Sequence, residues 1–309
     1  MGTSLAVTLS PANRARRISR VLWVTLALNW GTAFLEILFG WMTHTMVIYA
    51  NGFHSLTDGT SNIVALIGVW IASHPADHDH PYGHEKFETL ASIVISMFLL
   101  AVSIGIFQKA WNGFFHPVTP EVTVLSFALM TATLCVNLFV VWYERREARA
   151  LNSELLLSDS WHTMTDVFVT LGVLAALAGI SLKITLLDPL VSLAIAAVIA
   201  WAAFQILKQS SDILADKAVL DPAEVSKIVC AVEGVRDCHE VRTRGKSHLI
   251  YVDLHALVDP SMSVDESHGV ANRIEHRIKK EIPGVYDVVV HIEPTTHDHS
   301  ELKDERSDA

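Results

Sequence analysis

Residues 46–73 read MVIYANGFHSLTDGTSNIVALIGVWIAS. A bilayer-spanning helix needs about 20 apolar residues at about 1.5 Å each, and this run is long enough. Its middle nevertheless holds His54 and Asp58, four residues apart and therefore on one helix face. Residues 154–180 repeat the arrangement with His162 and Asp166. Ionisable side chains inside a span are costly and mark function by default. A single pair could serve interhelical hydrogen bonding, but two pairs on two spans form a set. Facing helices would bring together two imidazoles and two carboxylates, a tetrahedral N/O donor set suited to Zn2+. The two carboxylates balance the charge of the ion. Without metal they would leave two negative charges in a low dielectric, so protons compete with metal for the site. That competition is the physical basis of exchange.

Outward from these two runs, further apolar stretches at roughly 19–42, 87–111, 121–143 and 187–209 bring the number of expected spans to six. The chain of 309 residues is 51% hydrophobic and 18% charged, against roughly 25% charged for a soluble protein. The polar residues gather at the C-terminal end. Residues 211–309 hold 20 of the 33 acids, 12 of the 23 Lys and Arg, and 8 of the 16 His. An acidic balance of this kind argues against a nucleic-acid partner, which requires a concentrated basic surface. The expected organisation is a cytoplasmic N-terminal segment at 1–18, a six-helix transmembrane domain at 19–210, a cytoplasmic metal-binding domain at 211–296 and a disordered tail at 297–309. The fold class is thus a multi-pass α-helical membrane protein followed by a cytoplasmic α+β domain.

Basic residues set the orientation in the bilayer. Arg14, Arg16, Arg17 and Arg20, then Lys86, then Arg145, Arg146 and Arg149, then Lys208 and Lys217 fall on one side. Only Lys109 and Lys183 fall on the other. Both termini are therefore expected in the cytoplasm. The first apolar run has full spanning length and reads as a retained helix rather than a cleaved signal. Three cysteines without a C-x-x-C spacing read as reduced thiols.

Other polar residues in the spans, Glu36, Asn62 and Asn137, read as structural polar packing. Asp159, on the stripe of His162 and Asp166, reads as an acceptor supporting a ligand or as a helix-orienting group, with a direct ligand as the less favoured alternative. The link after span two, His74-Pro-Ala-Asp77-His-Asp-His80-Pro-Tyr-Gly-His84-Glu-Lys-Phe-Glu88, has the composition of a metal site. It lacks the second histidine of a His-Glu-x-x-His protease helix. Past residue 210 the periodicity gives helix 222–232, strands 235–243 and 248–258, helix 263–282 and strand 285–293. His239, His255, His291 and Glu293 fall on these strands and His268 on the second helix. Arg244-Gly245-Lys246-Ser247 resembles the end of a phosphate loop, but Glu240 stands where its first glycine is required. No ATP-driven pump or other enzyme is supported.

With these motifs in place, the sequence resembles the cation diffusion facilitator family over residues 15–296. The resemblance implies six transmembrane helices, a metallochaperone-like α-β-β-α-β cytoplasmic domain, a homodimer, and proton-coupled efflux of Zn2+ and related ions from the bilayer-embedded domain. It assigns His54, Asp58, His162 and Asp166 as the transport site. It places a second site on Asp77, His80 and His84. It places a binuclear site on His239, His255 and His291, with His268 near it and Glu293 where bacterial members carry Asp. His54, rather than the Asp of some members, looks like the more zinc-restricted form. Alternatives are Cd2+, Fe2+, Co2+ or Ni2+ as the main substrate, with Mn2+ least favoured, or a membrane-anchored metal sensor. The compact loops point to a bacterial inner membrane.

Overall fold

The computed structural model describes residues 11–43, 46–115, 124–181 and 187–295. The tail expected at 297–309 lies outside them. The chain divides into two compact units at Ser211/Asp212.

Among the described residues, the first unit is six helices: α1 (Pro11–Thr43), α2 (Met46–Ala72), α3 (Lys86–Phe115), α4 (Val124–Leu151), α5 (Glu154–Ser181) and α6 (Leu187–Leu214). Among the described residues, α1, α3, α4 and α6 each contain a stretch long and apolar enough to cross a membrane. The described apolar part of α2 is the shorter Gly59–Ala72. Tryptophans and phenylalanines such as Trp41, Phe107 and Trp201 stand exposed on the outside of the bundle, as expected where lipid is the solvent. The inside is lined by small and hydroxylic residues, including Ala33, Ala65, Ser92 and Ser96. Without a hydrophobic drive between helices in lipid, such residues allow close packing.

The helices outrun the apolar stretches at both ends of the bundle. One such extension is at α1, which begins at Pro11 inside the segment read as separate at 1–18. The cause is Arg14, which is 6% exposed. Its Nη1 and Nη2 donate to the two carboxylate oxygens of Glu88, at 2.9 and 3.2 Å. Its Nε donates to the carbonyl of Leu151 at 2.9 Å, and Nη2 also reaches the carbonyl of Asn152 at 3.2 Å. Ser153 Oγ donates to Glu88 at 2.7 Å. One guanidinium thus closes α1 onto the start of α3 and satisfies the terminal carbonyls of α4, which a helix end leaves unpaired. Asn152 adopts φ 47°, the left-handed turn that lets α5 begin at once. Gln209, near the end of α6, donates to Glu154 at the start of α5 at 2.9 Å. The beginnings of α1, α3 and α5 therefore share one end of the bundle with the ends of α2, α4 and α6.

The second unit contains α7 (Pro222–Cys230), β1 (Asp237–Lys246), β2 (Leu249–Val258), α8 (Val264–Glu281) and β3 (Val285–Pro294), in the expected α-β-β-α-β order. Asp221 caps α7 ahead of Pro222. Ser263 and Glu266 form a capping box on α8. The sheet order is β1-β2-β3, with β1 antiparallel and β3 parallel to β2. A parallel neighbour needs a crossover, and α8 supplies it. Along β2 burial alternates: Ile250, Val252, Leu254 and Ala256 face Val270, Ile274 and Ile278 of α8 and Val225 and Val229 of α7. Both helices cover this one face, and the other face of the sheet is open. Burial pushes the Cys238 thiol up to about 11, in keeping with the free cysteines observed.

Removing one partner of a buried ion pair strands the other charge, at a cost of about 3–5 kcal/mol. Arg14→Ala is expected to lose stability on that scale, read as an earlier unfolding transition of the detergent-solubilised protein. An unchanged transition would show that Glu88 and the α4 carbonyls find other partners.

Candidate metal centres

Three groups of residues were expected to hold metal. In the transmembrane unit, His162 and Asp166 lie one turn apart on α5, with His162 buried and Asp166 half-buried. His54 and Asp58 lie in the helical run of α2, but their side chains are outside the described residues. Asp159, a turn before His162, is fully buried. Ser61 Oγ donates to it at 3.1 Å, and Asn62 Nδ2 donates to its other oxygen. Asn29 of α1 donates to Asn62 at 3.2 Å. Asp159 thus ties α5 to α2, and Asn62 ties α2 to α1, so both serve as orienting and packing groups. Glu36 accepts from Ser55 of α2 at 3.2 Å and Thr133 of α4 at 2.8 Å, the same structural use of a buried carboxyl. Glu144, which the sequence reading passed over at the end of span four, is also fully buried and faces Asp159. Its only trace in the sequence is an acid directly following an apolar run, which does not distinguish a buried carboxyl from the polar end of a span.

The link between α2 and α3 brings Asp77, His80 and His84 together, with one potential ligand atom from each within 4.8 Å of the others. Asp77 Oδ1 accepts from the backbone N–H of His80 at 2.7 Å and of Asp79 at 3.0 Å, which folds the link into a tight turn. The His80 N–H, helped by the imidazoles of His84 and His80, holds the Asp77 carboxyl below the usual carboxylate range. His84 Nδ1 contacts the carbonyl of Pro75 at 3.1 Å. A carbonyl only accepts, so Nδ1 is the donor of this contact, and it turns Nε2 toward Asp77 Oδ2 at 3.5 Å. Fixing one ring nitrogen to orient the other is how metal-binding histidines are prepared.

In the cytoplasmic unit the sheet register does the gathering. His239 of β1 pairs with His255 of β2, and His255 pairs with His291 of β3, which makes a row of imidazoles across the open face. Their ring centroids are 5.2 and 4.7 Å apart. Glu293 reaches back under this row. Its Oε1 lies 2.8 Å from His255 Nδ1 and 3.6 Å from His291 Nε2, and its Oε2 lies 3.4 Å from His239 Nε2. Oε2 is buried and accepts no hydrogen bond within the limits of good geometry. A buried carboxylate oxygen left short of donors beside three imidazoles fits a divalent cation. His239, His255 and Glu293 form the tight cluster, with His291 exposed at its edge. His268 is exposed on α8. The helix packs on the opposite face of the sheet, so within one chain His268 does not join the cluster. A β-bulge after His239 holds Glu240 at φ 48° and puts its carboxylate 3.9 Å from His255 Nε2. Strain of this kind gathers at functional sites, and the sequence showed no sign of it.

These features define a multi-pass membrane protein with metal-ligating clusters and an appended α+β domain. Residues 22–215 match the cation efflux transmembrane domain, and residues 220–295 match the cytoplasmic domain of cation efflux proteins. The chain belongs to the cation diffusion facilitator family: it is a divalent cation efflux transporter and not an enzyme. Metal tolerance protein C1 of Arabidopsis thaliana is 29% identical over 96% of this chain and 67% of its own. The manganese efflux system protein MneS of Bacillus subtilis is 28% identical over 84% of this chain and 90% of its own. The cadmium, cobalt and zinc/H(+)-K(+) antiporter of Bacillus subtilis is 26% identical over 91% and 90%. The second unit is of the dimer-forming cytoplasmic kind and implies a homodimer. Because the chain runs from α6 into that unit, the end of the bundle carrying Arg14, the Asp77 link and Gln209 is cytoplasmic.

His255 occupies the middle of the row and touches every other member, whereas His291 sits at its rim. His255→Ala is expected to weaken metal binding to the cytoplasmic unit by more than the roughly 10–100-fold that loss of a supporting contact costs. His291→Ala is expected to cost less. Isothermal titration of Zn2+ into the full-length variants measures both, and the reverse order would contradict the geometry.

Proposed function

We propose that the chain exports Zn2+ in exchange for protons across a bacterial inner membrane, through a site formed by His54, Asp58, His162 and Asp166. The observation that carries this reading is the register between α2 and α5. The two helices run in opposite directions and are pinned where Ser61 and Asn62 meet Asp159. Counting away from the cytoplasm along α5, His162 and Asp166 follow Asp159 by about 4.5 and 10.5 Å. Counting away along α2, Asp58 and His54 follow Asn62 by about 6 and 12 Å. Helix rise therefore sets Asp58 level with His162 and His54 level with Asp166. In this reading each level pairs one imidazole with one carboxylate across the interface, a two-nitrogen, two-oxygen donor set suited to zinc.

The chemistry of exchange follows from the charges. A loaded site is near neutral. A site that has released its ion must take up protons or keep two carboxylates ionised in an apolar bundle, which is unfavourable. Protons from the far side would displace the metal there, and proton release on the cytoplasmic side would prepare the site to load again. Rocking of the bundle around a fixed site alternates the access. The relative that handles cadmium, cobalt and zinc by its printed name is itself an antiporter. The manganese relative marks the competing ion, yet Mn2+ favours sites richer in oxygen. We assign Asp77, His80 and His84, and the row His239, His255, His291 with Glu293, to metal loading and sensing on the cytoplasmic side.

In proteoliposomes with an imposed pH gradient, Zn2+ flux is expected to run against the proton flux. Asp166→Ala is expected to reduce both to the level of empty vesicles. Undiminished flux in that variant would remove the site assignment, and stronger competition by Mn2+ than by Zn2+ would replace the substrate.

A further inference from the structure

Arg16, Ser19, Arg20 and Trp23 recur at i, i+3, i+4 and i+7 on α1 and so form one stripe. This is an outward stripe: Ile18, Val21 and Leu22 are buried, whereas Arg16, Arg20 and Trp23 are exposed. The last turn of α2 and the residue after it add Trp70 and Ser73, and with Ala15 these residues line a groove of about 610 Å3. The groove opens at the cytoplasmic end of the bundle, on its lipid-facing side. Among the described residues, no acidic residue lines it.

The four arginines of this region divide into two pairs. Arg14 is committed to Glu88 and Arg17 to Glu147, the latter at 2.8 Å. Arg16 and Arg20 have no ion-pair or hydrogen-bond partner among the described residues. They stand one turn apart and point into a groove whose other walls are two indoles, 61% and 65% exposed. Trp23 lies about 10 Å deeper into the bilayer than Arg16. The Trp70 wall is held in place, because the His74 ring packs edge-on to it at 4.9 Å and contacts its carbonyl through Nδ1 at 2.9 Å. Unpaired guanidiniums at headgroup level with aromatic surface below them complement a ligand that is anionic at one end and apolar at the other.

We propose that this groove binds one anionic phospholipid of the cytoplasmic leaflet, its phosphate between Arg16 and Arg20 and its acyl chains along Trp23 and Trp70. A zwitterionic lipid would bring its own cation against the two guanidiniums. Free phosphate would engage the arginines but leave the indoles without a partner.

Native mass spectrometry of the full-length protein, titrated with phosphatidylglycerol, phosphatidylcholine or inorganic phosphate, tests the proposal. Phosphatidylglycerol is expected to bind one high-affinity site per chain in preference to phosphatidylcholine. R16Q/R20Q is expected to weaken it about 30-fold, the loss of two cation–phosphate attractions of about 1 kcal/mol each. R16K/R20K should retain most of the binding. Trp70→Ala keeps both charges and should weaken the phospholipid without altering inorganic phosphate. Arg146→Gln removes an exposed arginine of the same membrane side that rests on Trp142, and should have no effect. Unchanged binding in R16Q/R20Q, or an equal loss in Arg146→Gln, would overturn the proposal in favour of diffuse surface charge. Equal affinity for phosphatidylcholine, or release by inorganic phosphate at millimolar concentration, would also overturn it.

Discussion

Asp159 can sit fully buried among apolar helices only because α2 supplies donors to both of its oxygens. In lipid no water is at hand to satisfy a buried carboxyl, so Ser61 and Asn62 must meet it, and meeting it fixes how α2 and α5 slide against each other. A shift of one helical turn would move residues 54 and 58 by about 5.4 Å against residues 162 and 166 and remove the common level on which the proposed site depends. Asn29 extends the constraint to α1 through Asn62. The polar residues flanking the transport helices are therefore the means by which an interface without hydrophobic drive acquires a single register.

A second constraint works at the cytoplasmic surface. Glu88 lies one turn after His84 and is gripped by Arg14 and Ser153. The link carrying Asp77, His80 and His84 is thus seated on the first turn of a helix that cannot drift from the α4–α5 elbow. That elbow starts the helix bearing His162 and Asp166. The loop cluster and α5 share one rigid support, which under the proposed function is the physical condition for metal at one to be felt at the other.

Much of this was legible in the sequence because its signals are local. The i, i+4 spacing of His54 with Asp58 and of His162 with Asp166, the proline and caps of α7 and α8, and the alternation along β2 each report on a few neighbouring residues. What was not legible depends on partners far apart in the chain. Arg14 reads as one more positive-inside residue until Glu88, 74 positions away, is found against it. Glu144 reads as the polar end of a span until α4 carries it into the bundle beside Asp159. Glu240 reads as an ordinary strand residue until a bulge turns it toward His255. The row His239–His255–His291 was named by its strands, but its order depends on β3 pairing parallel to β2, which α8 determines.

The reach of Glu293 finds its reason in the sheet. Compared with an Asp at this position, its extra methylene lengthens the reach by about 1.5 Å. From β3 the carboxylate contacts His255 on the neighbouring strand and His239 on the strand beyond it. A shorter acid at the same Cα would meet His255 or His291 but would fall short of β1. The longer side chain makes one carboxylate span all three strands, so His239, the outermost strand's only imidazole in the row, becomes part of the same cluster. With Glu240 approaching His255 from the other side, the open face carries more carboxylate than the histidines alone would predict. That raises the negative charge offered to a divalent cation and favours ions that accept oxygen along with nitrogen. The selectivity of the cytoplasmic cluster can therefore differ from that of the transmembrane set, although both are built from histidine and acid.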